Sequence, residues 1–125
     1  MANINYNDLA MDIYNFCCEN EMWDDTAIYF DNKALTSRDE WNGENGVKID
    51  DALYLYDDKN PKDYMEYINP EGLSCSFDCN FGLHTLINDW GANFPITYET
   101  FCGIFEKYGL YFELGHSWYI TTAEL

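Results

Sequence analysis

Ala27-Ile28-Tyr29-Phe30-Asp31-Asn32-Lys33-Ala34-Leu35-Thr36 joins two short runs of mostly apolar residues through a polar dipeptide. Ile, Tyr and Phe favour extended backbone, and Asp31-Asn32 accepts the two positive φ angles of a tight hairpin loop. A loop of two sets Ile28 opposite Leu35, so both side chains reach one face. The stretch predicts an antiparallel hairpin with one buried side.

Upstream of it, Asn5 is placed to cap a helix, with Asp8 three positions on. Tyr6, Leu9, Ala10, Ile13, Phe16 and Cys17 then recur at helical spacing, which predicts a helix over 5–20. Downstream, residues 37–48 read as irregular, with turn signals at Asn42-Gly43 and Asn45-Gly46. Ala52 to Tyr56 reads as a strand between Asp50-Asp51 and Asp57-Asp58, and Asn60-Pro61 breaks the chain. Tyr64 to Ile68 and Leu73 to Phe77 predict a second hairpin around Asn69-Pro70-Glu71-Gly72. Tyr64, Ile68, Leu73, Cys75 and Phe77 then share one face.

Two further helices follow. Asp78 is the expected cap of one over about 80–90, with Leu83, Leu86, Ile87 and Trp90 inward and Gly91 as its stop. Thr97 is the expected cap of the next, with Phe101, Ile104, Phe105 and Tyr108 inward and Gly109 as its end. A final hairpin poses a register problem. A two-residue Gly115-His116 loop turns Trp118 and Ile120 away from Leu110, Phe112 and Leu114. A three-residue loop, Gly115-His116-Ser117, gathers all five on one side, and it is preferred because a one-step slip inverts a strand's faces. The whole predicts one α+β domain over 1–125: a mainly antiparallel sheet of about five to seven strands, with three helices packed largely on one face.

Charge is the other strong feature. The chain has 125 residues and a formal net charge of −17, from 23 acids against 6 Lys and Arg. Residues 1–78 hold 18 acids and 5 bases (−13), and residues 79–125 hold 5 acids and 1 base (−4). An aromatic content of 18% is too high for a disordered acidic tail. The charge therefore sits on a folded body that repels nucleic acid and anionic membranes and attracts basic proteins. No apolar run is long enough for a membrane span. Met1-Ala2-Asn3-Ile4-Asn5 lacks the basic and apolar regions of an export signal. Five cysteines, an odd number, argue for free thiols and a cytoplasmic setting.

Specific chemistry is sparse. Cys75, Cys79 and His84 carry zinc-ligand atoms, but there is no CxxC pair, and Cys75 falls on the core face. Asp58-Lys59-Asn60-Pro61-Lys62 sets Lys and Pro where a calcium loop needs ligands and a turn. Only His84 and His116 are available as imidazole bases, and no nucleophile motif stands beside either. No cofactor, metal or catalytic residue is expected, and six cations are too few for direct nucleic-acid binding.

The acids themselves are the candidate site. Asp24, Asp25, Asp39, Glu40, Asp50, Asp51, Asp57, Asp58, Asp63, Glu66 and Glu71 fall in loops or at predicted strand ends, where they read as one acidic ridge for a basic partner. Tyr29, Tyr54, Tyr56 and Tyr67 are candidate aromatic anchors beside it. A folded chain of this mass exposes roughly 7,000 Å², so −17 spread evenly is one charge per roughly 400 Å². Gathered on a third of the surface it approaches one per roughly 140 Å², near the roughly 100 Å² per charge of a duplex. In charge, size and aromatic content the chain resembles the small acidic nucleic-acid mimics, antirestriction and anti-CRISPR proteins among them. No motif is shared, so no functional residue transfers. The resemblance implies a non-enzymatic inhibitor of a restriction enzyme, a CRISPR effector or a nuclease toxin. The rival reading is an acidic interaction module that binds by an apolar or sheet-edge patch. A small hydrolase with a carboxylate cleft is the third.

Overall fold

A computed structural model describes residues 4–41, 44 and 46–125. The leading triplet Met1-Ala2-Asn3 and the turn residues Asn42, Gly43 and Asn45 lie outside the described residues. The fold is α+β, with three helices and a seven-stranded sheet: α1 (Tyr6–Glu19), β1 (Ala27–Phe30), β2 (Lys33–Thr36), β3 (Gly46–Asp50), β4 (Leu53–Asp57), β5 (Ser74–Ser76), α2 (Phe81–Asn88), α3 (Pro95–Glu106), β6 (Leu110–His116) and β7 (Tyr119–Glu124). The strand order is β3-β4-β2-β1-β5-β7-β6, and every neighbouring pair is antiparallel.

The deciding hairpin forms as its residues dictate. Asp31 and Asn32 take φ of 46° and 61°, and Ile28 pairs with Leu35. Asn5 caps α1, its side-chain oxygen accepting from the Asp8 amide at 3.1 Å. The strands alternate between two clusters. Ile28, Phe30, Leu35, Leu53, Leu73, Cys75, Phe77, Leu110 and Ile120 share a core with Leu9, Ile13 and Phe16 of α1, Leu83, Leu86 and Ile87 of α2, and Phe101 and Phe105 of α3. Ala27, Tyr29, Ala34, Tyr56 and Tyr119 form a second cluster with Met65, and Trp41, Tyr54, Ile68 and Trp118 pack on it.

Several expectations are corrected. Tyr64 to Ile68 is no strand. Pro61 opens a short 3-10 turn at Pro61–Asp63, and the Met65 amide still bonds back to the Pro61 carbonyl at 2.9 Å. Beyond it, side chains of β7 take the roles of strand partners. The Tyr67 amide donates to the Tyr119 hydroxyl at 3.0 Å, and the Asn69 amide donates to Thr121 Oγ1 at 2.8 Å. Leu73, Cys75 and Phe77 are buried on one face as expected, but β5 pairs with β1 and β7.

β3 is a strand where irregular chain was expected. Val47-Lys48-Ile49-Asp50 alternates apolar and polar residues as a strand does, but its apolar residues Val47 and Ile49 face solvent. It pairs because Gly46 lets the Tyr56 ring lie across its start; a Cβ there would sit 2.4 Å from the ring. The last hairpin solves its register in a third way. The loop is Ser117-Trp118, and an irregularity between Leu114 and His116 absorbs one residue. Leu110, Phe112, Leu114 and Ile120 do reach one core, but Trp118 packs on the other cluster. Gly115 permits this, since a Cβ would meet the Tyr119 ring at 2.1 Å and the Tyr67 carbonyl at 2.4 Å.

Both later helices start elsewhere than expected. Cys79 takes a φ of 67°, so the chain turns once more after Asp78, and Asn80 caps α2. α3 starts at Pro95, whose fixed φ and missing amide suit a first helical position; Thr97 lies inside the helix. Trp90 follows α2 at a φ of 57° and is exposed, so it is not part of the buried stripe. Gly91 and Gly109, at φ of 73° and 75°, stand where the stops were expected.

Candidate functional site

The antiparallel registers sort the acids by sheet end. β3–β4, β2–loop and the entry to β1 meet at one end, because Asp50 pairs with Leu53 and Ala27 with Thr36. Asp24, Asp25, Arg38, Asp39, Glu40, Asp50 and Asp51 flank that end. At the other, Lys33 pairs with Asp57 and Leu110 with Glu124. The β1–β2 turn, with Asp31, and Asp58 lie there. Burial first, and then the charges of Glu124, Asp31 and Glu71, raise the pKa of the Tyr6 phenol. The expected ridge is therefore two rims, and Asp50-Asp51 and Asp57-Asp58 stand at opposite ends of β4.

The first rim is tied together by short polar contacts. Trp23 Nε1 donates to the Ala52 carbonyl at 2.5 Å, which holds the β3–β4 turn beside Asp24 and Asp25. The Thr26 amide donates to Ser37 Oγ and the Ser37 amide to the Thr26 carbonyl, both at 3.1 Å. Arg38 clasps Asp25 at 2.9 Å and Glu40 at 2.7 Å. Lys48 lies 3.7 Å from Asp51. In the second rim the Lys59 amide donates to the Asn32 carbonyl at 3.1 Å, and Asn32 Nδ2 reaches Asp58 Oδ1 at 3.5 Å.

Segment 37–41 leaves rim one with Asp39 and Glu40, and loop 59–69 runs over the sheet from rim two with Asp63 and Glu66. An aromatic cluster pins them down. Trp41 meets Tyr56 edge-on at 4.8 Å and Tyr64 at 5.6 Å, and Tyr64 stacks on Tyr29 at 5.6 Å. Lys59 is buried with its ammonium 4.6 Å from the Trp41 ring, a contact strengthened by desolvation. The Tyr56 hydroxyl bonds to Asp39. Burial first, and that bond second, push the Tyr56 phenol up to about 12. Tyr29 and Tyr56 are therefore buried supports rather than surface anchors, because these loops cover them; Tyr67 is exposed.

The rims have a scale. Rim one carries six acids (Asp24, Asp25, Asp39, Glu40, Asp50, Asp51) and two cations (Arg38, Lys48), hence −4. It spans four strands, about 14 Å at 4.8 Å per strand. That is one net charge per about 3.6 Å, against one per about 3.4 Å along a single DNA strand. The rims lie about 15–20 Å apart, from the five residues between Asp25 and Asp31 or Asp51 and Asp57, which make up to six steps of about 3.3 Å. A major groove of about 12 Å with a phosphate on each side has similar width.

Other chemistry has no assembled site. Cys75 is fully buried, Cys79 exposed, and His84 packs edge-on against Phe77 at 6.1 Å. Among the described residues no three His, Cys, Asp or Glu side chains converge as metal ligands. Burial raises Cys17 to about 12 and Cys75 well above the thiol range, so both are poor nucleophiles. No helix among the described residues is long and apolar enough to cross a membrane.

A second surface went unread in the sequence. Phe81, Trp90, Phe94 and Ile96 are 86%, 71%, 56% and 79% exposed. They are spread along the chain from the start of α2 to the first turn of α3, in the acid-poor third of the sequence. Helical spacing assigned Trp90 inward; the left-handed turn that swings it out has no signal before Gly91.

Compared with protein-family models, curated proteins and solved structures, the chain finds no match. The chain is an acidic α+β protein whose loop carboxylates fall at both ends of its sheet.

Proposed function

We propose that this chain is a non-enzymatic inhibitor that imitates nucleic acid and occupies the basic groove of a DNA- or RNA-binding protein, such as a restriction enzyme, a CRISPR effector or a nuclease toxin. The observation that carries the reading is the pair of acidic rims, spaced like the two phosphate rails of a duplex and, on rim one, charged like one of them. The backbone ties and the aromatic cluster support it further, since they hold the carboxylates in place before a partner arrives. Preorganised charge steers encounter and avoids ordering costs on binding. The accessible surface of 7016 Å² dilutes the total charge to one per about 400 Å², so the reading depends on the rims and not on net charge alone.

The exposed Phe81, Trp90, Phe94 and Ile96 favour a second reading, an acidic module that binds through an apolar patch without mimicry. One experiment separates them. The immobilised chain is exposed to a bacterial lysate at low salt, and duplex DNA is then added. Mimicry predicts retained nucleic-acid-binding proteins that the duplex displaces and that a rim-neutralised chain does not hold. Retained proteins indifferent to both duplex and rim substitutions would falsify it.

A further inference from the structure

β6 closes one side of the sheet, and among the described residues no strand pairs with its outer edge. Such an edge presents alternate free amides and carbonyls, which is a template for another strand. The opposite edge, β3, is blunted. It carries Lys48, an irregularity between Lys48 and Asp50, and the Asp50-Asp51 turn. β6 has its irregularity only at the far end, after Leu114, which leaves 110–114 regular.

Two hollows flank this regular stretch. One, of about 300 Å³, is lined by Ile87, Trp90, Phe112, Glu113 and Leu114. The other, of about 200 Å³, is lined by Trp90, Tyr98, Cys102, Glu106, Tyr111 and Phe112. Trp90 and Phe112 belong to both, so the two hollows adjoin at these side chains. Each holds one carboxylate, and neither holds a cation.

We propose that β6 is a docking strand for an extended segment of a partner chain. The segment adds to the free edge over 110–114 and sets apolar side chains at alternate positions into the two hollows, about 7 Å apart as strand geometry requires. A Lys or Arg at the intervening position points to the other face of the sheet and meets Glu113 there. Charge selects this occupant over a second copy of the chain. Two copies would bring two Glu113 carboxylates and two bodies of net −17 to one seam. The inference does not rest on mimicry, because it uses no residue of either rim.

Amide hydrogen exchange on the full chain tests it. The probe is a capped eight-residue peptide alternating Val or Leu with Lys; the control is the same composition scrambled to break the alternation. The alternating peptide should protect alternate amides within 110–114 and bind at least about tenfold tighter than the control. Trp90→Ala and Glu113→Lys should each lower its affinity about tenfold or more, with the fold kept, while rim substitutions leave the β6 protection in place. The proposal is overturned by equal binding of the two peptides, by protection at β3 or the rims in place of β6, by no binding at millimolar peptide, or by β6 protection that grows with protein concentration alone.

Discussion

The β4-β2-β1 half of the sheet and the β7-β6 half use the same alternation of side chains, yet they finish in opposite surfaces. The first half ends in acidic rims, and its second face is roofed by loops through Trp41, Tyr64 and Met65. The second ends in an edge strand with no further strand beside it among the described residues, near exposed Trp90. The difference lies in the turns. Asp25, Asp31 and Asp58 occupy left-handed backbone at φ of 46°, 46° and 57°, a conformation that Asp and Asn tolerate better than most residues. Turn geometry and charge are delivered there by the same residues. Around α2 the left-handed position falls to Trp90, and it delivers an apolar surface.

Asp24, Asp25, Asp50 and Asp51, with Asp31, Asp57 and Asp58, changed to Asn, and Glu71 to Gln, keep the turn preferences while removing charge. Affinity for a captured basic partner should fall by about 1,000-fold, roughly 4 kcal/mol by titration. The melting temperature should hold or rise as self-repulsion is relieved. Next in size is a contrast of two indoles. Trp41→Ala should cost about 2–3 kcal/mol in chemical denaturation, since it opens the cluster and strands buried Lys59. Trp90→Ala should stay within about 0.5 kcal/mol, as exposed positions do.

Alkali sharpens the contrast further. Tyr56 is 1% exposed and its phenol is raised to about 12, so between the ordinary phenol value near 10 and about 12 the unfolded chain loses a proton that the folded chain keeps. Its contribution is whole below pH 10 and is lost as pH rises through 12, at about 1.4 kcal/mol per pH unit. Tyr56→Phe should flatten the decline of stability measured over that window. The smallest effect is at Ala52, whose φ of 54° suits glycine better. Ala52→Gly should stabilise by about 0.5–1 kcal/mol in the same denaturation assay.

Much of this fold was legible in the sequence where turn chemistry and periodicity agreed. Asp31-Asn32 fixed a register, and Leu83, Leu86 and Ile87 marked the buried side of α2. The reading failed where distant side chains replaced backbone partners. Nothing near Tyr67 or Asn69 reveals that Tyr119 and Thr121 will accept their amides, so this segment read as a strand. β3 was hidden by the Asn42-Gly43 and Asn45-Gly46 turn signals, which outweigh the short Val47-Lys48-Ile49-Asp50 alternation that follows them. The acids of the site were legible one by one, but their division into two rims depends on strand order, which local sequence does not encode. The β6 cleft was hidden for the same reason.

The most direct test of mimicry is the dependence of partner affinity on salt. With the wild-type chain, the logarithm of the association constant should fall steeply and linearly against the logarithm of salt concentration between about 50 and 200 mM. The rim-neutralised chain should show a much shallower line, and Trp90→Ala should keep the wild-type slope. A flat wild-type line, or a slope that the rim substitutions leave untouched, would contradict the claim that the carboxylate rims stand in for phosphate.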